Sequence, residues 1–148
     1  MYFHGNHFDA ELHFVQFIDD APAAVIGVFL QAVDGAPDNP FLEMFWDHFD
    51  NQQHTTTKAI DDPYTDFLPQ SAKGVIGPYY AYSGILTTPH CLMGATWFVL
   101  QDPVRIPNAQ LDKYKGRLAS LPQTSESLAN NRPVQPITDR KIMFVNKH

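Results

Sequence analysis

The chain has 148 residues, of which 44% are hydrophobic, 13% aromatic and 18% charged, and its formal net charge is -6. This balance is typical of a globular chain with a hydrophobic core and excludes a disordered segment. The negative charge argues against a nucleic-acid partner, because phosphates attract basic surfaces. No apolar stretch approaches the length of a membrane span. The sequence therefore predicts a single domain over residues 1–148, with no nucleic-acid partner and no membrane span.

Two strands are predicted near the start of the chain. Residues 10–17 alternate in the manner of a strand, so that Glu11, His13 and Val15 share one face. Residues 23–31 form an almost continuous apolar run, which is typical of a buried strand. The turn-forming residues between these runs predict that the two strands form an antiparallel pair.

A helix is predicted to begin at Pro40, because proline is favoured at the first helical position. Apolar residues follow at helical spacing and indicate one face packed against the core. Residues 50–66 are polar and are predicted to form a loop. The apolar face of the helix contains Phe41, Leu42, Phe45, Trp46 and Phe49.

The second half of the chain adds short strands and one more helix. Strands are predicted over residues 79–84 and 94–100, with a short edge strand at 104–106 between two prolines. Residues 108–118 predict a small helix, and residues 142–145 a terminal strand. The predicted fold class is α+β and strand-dominated.

A weak metal-site signal comes from Glu11 and His13, which lie two residues apart on one strand face. A zinc-bound histidine commonly has its second ring nitrogen held by a carboxylate, a role that Glu11 fits. Taken alone, the pair is better explained by a histidine satisfied within the core beside a partly exposed glutamate. His4 and His7 have a spacing that metals sometimes use, but Gly5 and Asn6 between them also suit a hairpin turn.

Four segments, in this order and spacing, give the chain a resemblance to the α-class carbonic anhydrases. They are residues 10–15 (Ala-Glu-Leu-His-Phe-Val), 24–30, 82–89 continuing to 96–100, and 131–136. The resemblance implies a twisted, largely antiparallel sheet with peripheral short helices, here incomplete at its N-terminus. It also implies reversible hydration of carbon dioxide to bicarbonate at a zinc ion held by three imidazoles and one water.

The same resemblance implies roles for individual residues. His13 corresponds to the third zinc ligand, and Glu11 to the carboxylate that holds its ring. Thr87 corresponds to the residue whose hydroxyl orients the zinc-bound hydroxide, so Thr87 and Glu11 are the expected catalytic residues. The residues expected to line or flank the carbon dioxide pocket are Val15, Val25, Leu86, Thr88 and Trp97.

The resemblance also predicts what the 148 residues lack. The family's first two zinc ligands form a His-x-His motif on the preceding strand, whereas residues 1–9 resemble the turn that follows it. Zinc is therefore expected only if two further histidines come from an upstream segment or a partner subunit, and the chain alone is expected to be inactive. The alternative is an inactive structural or interaction subunit of a larger assembly. A fragment without function is a third possibility.

The lone cysteine, Cys91, allows two interpretations. A single cysteine cannot form an intrachain disulfide and is usually a buried thiol of a reducing compartment. In the resemblance, however, Cys91 falls where many secreted members have a half-cystine paired with an upstream cysteine. That second interpretation predicts a secreted, periplasmic or organelle-lumen location.

Overall fold

The computed structural model contains eight strands and two short helices among the residues that it describes. The residues described are 2–3, 5–46, 67, 77–88, 90–121, 126–127 and 129–146, with the backbone alone at residues 2, 3, 45 and 46. In chain order the elements are β1 (Tyr2–Phe3), β2 (Asn6–His7), β3 (Ala10–Ile18), β4 (Ala21–Ala32), α1 (Pro40–Trp46), β5 (Tyr79–Ile85), β6 (Met93–Leu100), β7 (Val104–Ile106), α2 (Asn108–Ala119) and β8 (Met143–Val145).

One six-stranded sheet organises these elements. Its strands follow the order β3-β4-β6-β5-β8, and β7 pairs with β4 outside this path. The pairs β3–β4, β5–β6 and β5–β8 are antiparallel, whereas β4 pairs in parallel with both β6 and β7. The strand-dominated, largely antiparallel prediction is confirmed, with a parallel centre that the sequence did not indicate.

The connection between β3 and β4 is a tight two-residue turn. Asp19 and Asp20 both adopt positive φ angles, of 48° and 63°. Consecutive positive φ angles are typical of the hairpin turn that matches the twist of the flanking strands, and aspartate tolerates this conformation. The predicted antiparallel pair is thus confirmed, and both strands are slightly longer than expected.

A second hairpin, β1–β2, lies at the start of the chain. Phe3 pairs with Asn6 and Tyr2 with His7, and Gly5 has a φ of 81°. A hairpin was expected here, but Asn6 belongs to the strand and not to the bend.

The two faces of the sheet bury different sets of side chains. One face packs against α1, α2 and Phe67. Its alternating strand residues point away from those of the other face, as the pleat requires. The opposite face contains Glu11 and His13 and a second apolar cluster. The first, helix-covered core consists of Val28, Leu30, Phe41, Leu42, Phe67, Leu100, Val104, Ile106 and Leu111.

A buried glutamine joins the two helices. Gln110 of α2 is 1% exposed and donates to the Asn39 carbonyl at 3.0 Å, while its own side-chain oxygen accepts from the Asn39 backbone N–H at 3.0 Å. Its amide also donates to Glu43 of α1 at 2.8 Å. Lys113 contacts the other oxygen of that carboxylate at 2.6 Å. The pKa of Glu43 is lowered from 4.5 by the hydrogen bond from Lys113 and then by that from Gln110.

The remaining element predictions are confirmed within one or two residues. Helix α1 begins at Pro40 and α2 spans Asn108–Ala119, and the expected strands near 79–84, 94–100, 104–106 and 142–145 are all present. The predicted loop over residues 50–66 and the apolar contributions of the Phe45, Trp46 and Phe49 side chains lie outside what the structure describes. None of the described helices is long and apolar enough to cross a membrane.

Candidate metal centre

The candidate centre lies on the sheet face opposite the helices. Strand β3 presents Glu11, His13 and Val15 there, as the alternating sequence predicts. Across the β3–β4 pair, His13 lies opposite Gly27 and Val15 lies opposite Val25. Because cross-strand partners point to the same face, the imidazole and the two valines share one surface.

Glu11 and His13 form a partly buried pair. The carboxylate side chain is 6% exposed and the imidazole 22%, and Glu11 Oε1 lies 3.2 Å from His13 Nε2. The distance suits a hydrogen bond, but among the described residues both His13 Nε2 and Glu11 Oε2 lack a hydrogen-bond partner. The ring N–H is therefore not yet aimed at Oε1, and the contact is best described as electrostatic.

The other ring nitrogen faces a different group. The Thr87 hydroxyl oxygen lies 3.5 Å from His13 Nδ1, at the outer limit of a hydrogen bond. Thr87 follows β5, so a residue 74 positions away in sequence reaches the same imidazole. The Nε2 atom therefore lies beside a carboxylate, and the Nδ1 atom lies beside a hydroxyl.

Trp97 supports the imidazole from β6. Its ring meets that of His13 edge to face, with centroids 4.8 Å apart. The indole N–H donates to the Ile85 carbonyl at 3.2 Å, which fixes the ring plane. A Cβ on Gly84 would lie 2.8 Å from Trp97 Cδ1, so the glycine allows the indole to lie against β5.

An aromatic residue not anticipated as part of the centre completes this support. The Tyr82 ring is parallel to that of Trp97, with centroids 6.1 Å apart, and the Arg140 guanidinium lies 5.4 Å from the Tyr82 centroid. Burial raises the pKa of Tyr82 above 10.0, and the negative charge of Glu11 adds to this rise. The arginine, at the far end of the sequence, is held to this side of the sheet by a cation–π contact.

The expected pocket residues are brought together, with one exception. Val25 and Trp97 are buried in an apolar cluster with Phe29 and Val99, and Val15 and Leu86 pack against it. Thr88 is exposed and is not part of that cluster. The structure therefore places four of the five residues on one apolar surface beside His13, and their role in binding carbon dioxide stays a prediction.

Cys91 lies in the loop before β6. Its thiol is free and half-buried, and the residue has a φ of 54°. Arg132 Nη1 lies 3.6 Å from the sulfur, so the two distant segments meet here. The compartment inferred from this cysteine stays a prediction.

The described residues do not form a complete metal site. Among them no group of three or more His, Cys, Asp or Glu residues could hold a metal ion. His7 is exposed in β2, and His4, His48, His54 and His148 lie outside the described residues. A buried carboxylate beside one ring nitrogen suits a single position of a tetrahedral zinc site. His13 therefore fits one ligand position of such a site, and the other positions require ligands from elsewhere.

Comparisons with known proteins agree with this geometry. The family model for the eukaryotic-type carbonic anhydrase matches residues 2–146. The chain is 37% identical to a carbonic anhydrase of Nostoc sp. over 142 residues, 94% of this chain and 47% of the relative. It is 30% identical to the human mitochondrial carbonic anhydrase 5A, over 93% of this chain and 48% of that protein.

Solved structures give the same result. An α-carbonic anhydrase from Thermovibrio ammonificans, in complex with sulfanilamide, matches 90% of this chain with a TM-score of 0.66 and 34% identity, covering 52% of that structure. The carbonic anhydrase Cah3 from Chlamydomonas reinhardtii, in complex with acetazolamide, matches 90% of this chain with a TM-score of 0.69 and 28% identity, covering 56% of that structure.

The chain belongs to the α-carbonic anhydrase family, whose members are generally zinc-dependent lyases. It spans about half the length of the curated relatives it matches.

Proposed function

We propose that this chain forms one side of a zinc-dependent carbonic anhydrase active site, which interconverts carbon dioxide and bicarbonate. The observation that carries the proposal is that the two ring nitrogens of His13 have different neighbours. Nε2 lies beside Glu11 Oε1, and Nδ1 lies beside Thr87 Oγ1. A negative carboxylate next to Nε2 favours the proton on that nitrogen. The Nδ1 lone pair is then available to a metal.

The other side-chain roles follow from their placement. When bound, zinc lowers the pKa of its water to about 7 and so supplies hydroxide at neutral pH. Thr87 orients the reacting oxygen through its hydroxyl. The apolar surface of Val15, Val25 and Trp97 excludes water and accepts the uncharged carbon dioxide.

Two further imidazoles are required, and we propose that they come from outside this sequence. Strand β3, which contains His13, ends the strand order of the described sheet. No strand in the described part of the chain pairs with the outer edge of these nine residues, whose backbone groups another strand could bind. A strand paired there, from an upstream segment or a partner subunit, would lie next to His13. The family's His-x-His motif belongs on such a strand.

The test is reconstitution. The 148-residue chain is co-expressed with the half of the Nostoc carbonic anhydrase that it does not match, and carbon dioxide hydration by the purified assembly is measured. We expect hydration by the assembly and none by the chain alone, because one imidazole does not retain catalytic zinc.

Two histidine variants provide the controls. His13→Ala in the assembly is expected to abolish hydration, and His7→Ala, at an exposed histidine of β2, is expected to leave it unchanged. Hydration that survives His13→Ala contradicts the proposal. An assembly that forms but neither binds zinc nor hydrates carbon dioxide favours the inactive interaction subunit, which no present observation supports.

A further inference from the structure

Gly27 lies at the centre of β4, directly opposite His13. We infer that Gly27 is a positioning residue for the metal ligand: its missing side chain leaves the space in which the Glu11 carboxylate lies against the His13 ring. The inference rests on the proposed function, in which His13 is the ligand. It assigns a role to a residue that neither binds metal nor contacts substrate.

The space at Gly27 is filled by the carboxylate itself. A Cβ built on Gly27 would lie 2.6 Å from Glu11 Oε1 and 3.7 Å from Glu11 Cδ. Glu11 is opposite Phe29 in the register, so its side chain reaches diagonally across the strand pair to occupy this position. The same carboxylate oxygen is the one 3.2 Å from His13 Nε2. Any side chain at Gly27 would therefore compete with the Glu11–His13 contact.

Backbone conformation does not explain the glycine. Gly27 is absent from the residues with positive φ, unlike Gly5, Gly35 and Gly94. Glycine within a strand weakens it and commonly marks a close approach by another group. Here the approaching group is the end of the Glu11 side chain, and the next neighbour, Val99 Cγ2, is at an ordinary 3.4 Å.

This geometry predicts an unusual kind of defect. The three heavy atoms nearest to a methyl group at Gly27 all belong to side chains, and the closest is the end of the flexible Glu11 side chain, so the strand pair can keep its register while Glu11 moves away. The fold then survives, but the carboxylate no longer favours a proton on His13 Nε2. Without that preference the proton is shared between the two ring nitrogens, and Nδ1 is less available as a ligand.

The experiment compares four forms of the 148-residue chain with the wild type. They are Gly27→Ala, Glu11→Ala, the double variant and Gly116→Ala. The last is the matched control, because a Cβ on Gly116 of α2 meets nothing within 4 Å. The 15N chemical shifts of the His13 ring nitrogens are recorded without metal at about pH 8, where free imidazoles are neutral.

We expect the wild type and Gly116→Ala to show a proton held on Nε2. Gly27→Ala and Glu11→Ala are each expected to shift both ring nitrogens toward the average of the two tautomers. Adding Gly27→Ala to Glu11→Ala is expected to change nothing further, because the group displaced by the methyl is already gone.

The inference is overturned if Gly27→Ala shows the same His13 15N shifts as the wild type. It is also overturned if Gly27→Ala changes these shifts equally in the wild-type and Glu11→Ala backgrounds. If the Gly27→Ala chain unfolds, the double variant decides the outcome. A double variant that folds supports the inference, because removing the Glu11 side chain has relieved the clash. A double variant that also unfolds overturns the inference. A wild type without a tautomer preference also overturns it.

A second readout separates this inference from the proposed function. In the reconstituted assembly, Gly27→Ala is expected to weaken zinc affinity by about 10- to 100-fold, the usual effect of disturbing a partner of a metal ligand. If the wild-type assembly binds no zinc, the proposed function fails. The tautomer measurement on the metal-free chain still tests whether Gly27 positions Glu11 against His13.

Discussion

At the scale of single residues, His13 is defined by what surrounds each of its ring atoms. Glu11 lies beside Nε2 and Thr87 lies beside Nδ1. The edge-to-face contact with the Trp97 ring fixes the plane of the imidazole. These partners come from three strands or their ends, so the imidazole is oriented by the sheet and not by its own strand alone. Orientation of this kind reduces the rearrangement needed when a ligand nitrogen meets a metal.

Thr87 gives the first residue-scale prediction. Thr87→Val keeps the shape of the side chain but removes the hydroxyl proposed to orient the reacting oxygen. In the reconstituted assembly we expect kcat/KM for hydration to fall by about 100-fold, the cost of a misplaced reacting group. Zinc content is expected to stay unchanged, because Thr87 is not a ligand.

The matched control for this prediction is Thr87→Ser, which retains the hydroxyl and is expected to keep most of the activity. Equal losses in Thr87→Ser and Thr87→Val would show that the methyl group matters and the hydroxyl does not. Loss of zinc in Thr87→Val would instead assign Thr87 to metal retention.

At the scale of elements, the sequence predicts strands and helices well because each is a local pattern. The alternation of residues 10–17 and the apolar run of 23–31 determine which side chains face together, and the structure agrees. Strand order is different. The parallel pairing of β4 with β6 joins segments about 70 residues apart, and no local pattern encodes such a contact.

Parts of the candidate site depend on those distant contacts and were not predicted from local sequence. The stacking of Tyr82 on Trp97 and the approach of Arg140 require the β5–β6 pairing and the course of the C-terminal segment. The sequence offered one indication of the role inferred for Gly27, which is a glycine within an apolar strand. Such a glycine indicates that another group approaches the backbone closely, but it does not identify that group. The proposed roles of His13 and Thr87 came from family resemblance.

Helix docking gives the element-scale prediction. Gln110→Ala removes three hydrogen bonds at the junction of α1 and α2 and leaves half-buried backbone groups of Asn39 without these partners. We expect the free energy of unfolding to fall by about 2–3 kcal/mol, measured by urea denaturation. The contrast is Lys113→Ala, which removes a half-exposed ion pair on the same helix.

Lys113→Ala is expected to cost less than about 1 kcal/mol, as most surface ion pairs do. Similar losses in the two variants would mean that charge, and not the buried amide, holds the helices together.

At the scale of the whole molecule, the sheet has a covered face and a functional face. The helices bury the first apolar cluster, and the second cluster surrounds the candidate centre. His13, the proposed zinc ligand, lies on the strand at the end of the sheet order, and the described residues contain no group of three or more side chains that could hold a metal ion. Under the proposed function, an additional strand at this edge supplies the two remaining imidazoles.

The most direct test of this account is the zinc content of the reconstituted assembly, measured by mass spectrometry of the metal after exhaustive dialysis. The account predicts about one zinc ion per assembly with the wild-type chain, and almost none with His13→Ala or with the chain alone. Full zinc content in the His13→Ala assembly, or tightly bound zinc in the isolated chain, would contradict the claim that His13 is one ligand of a shared site.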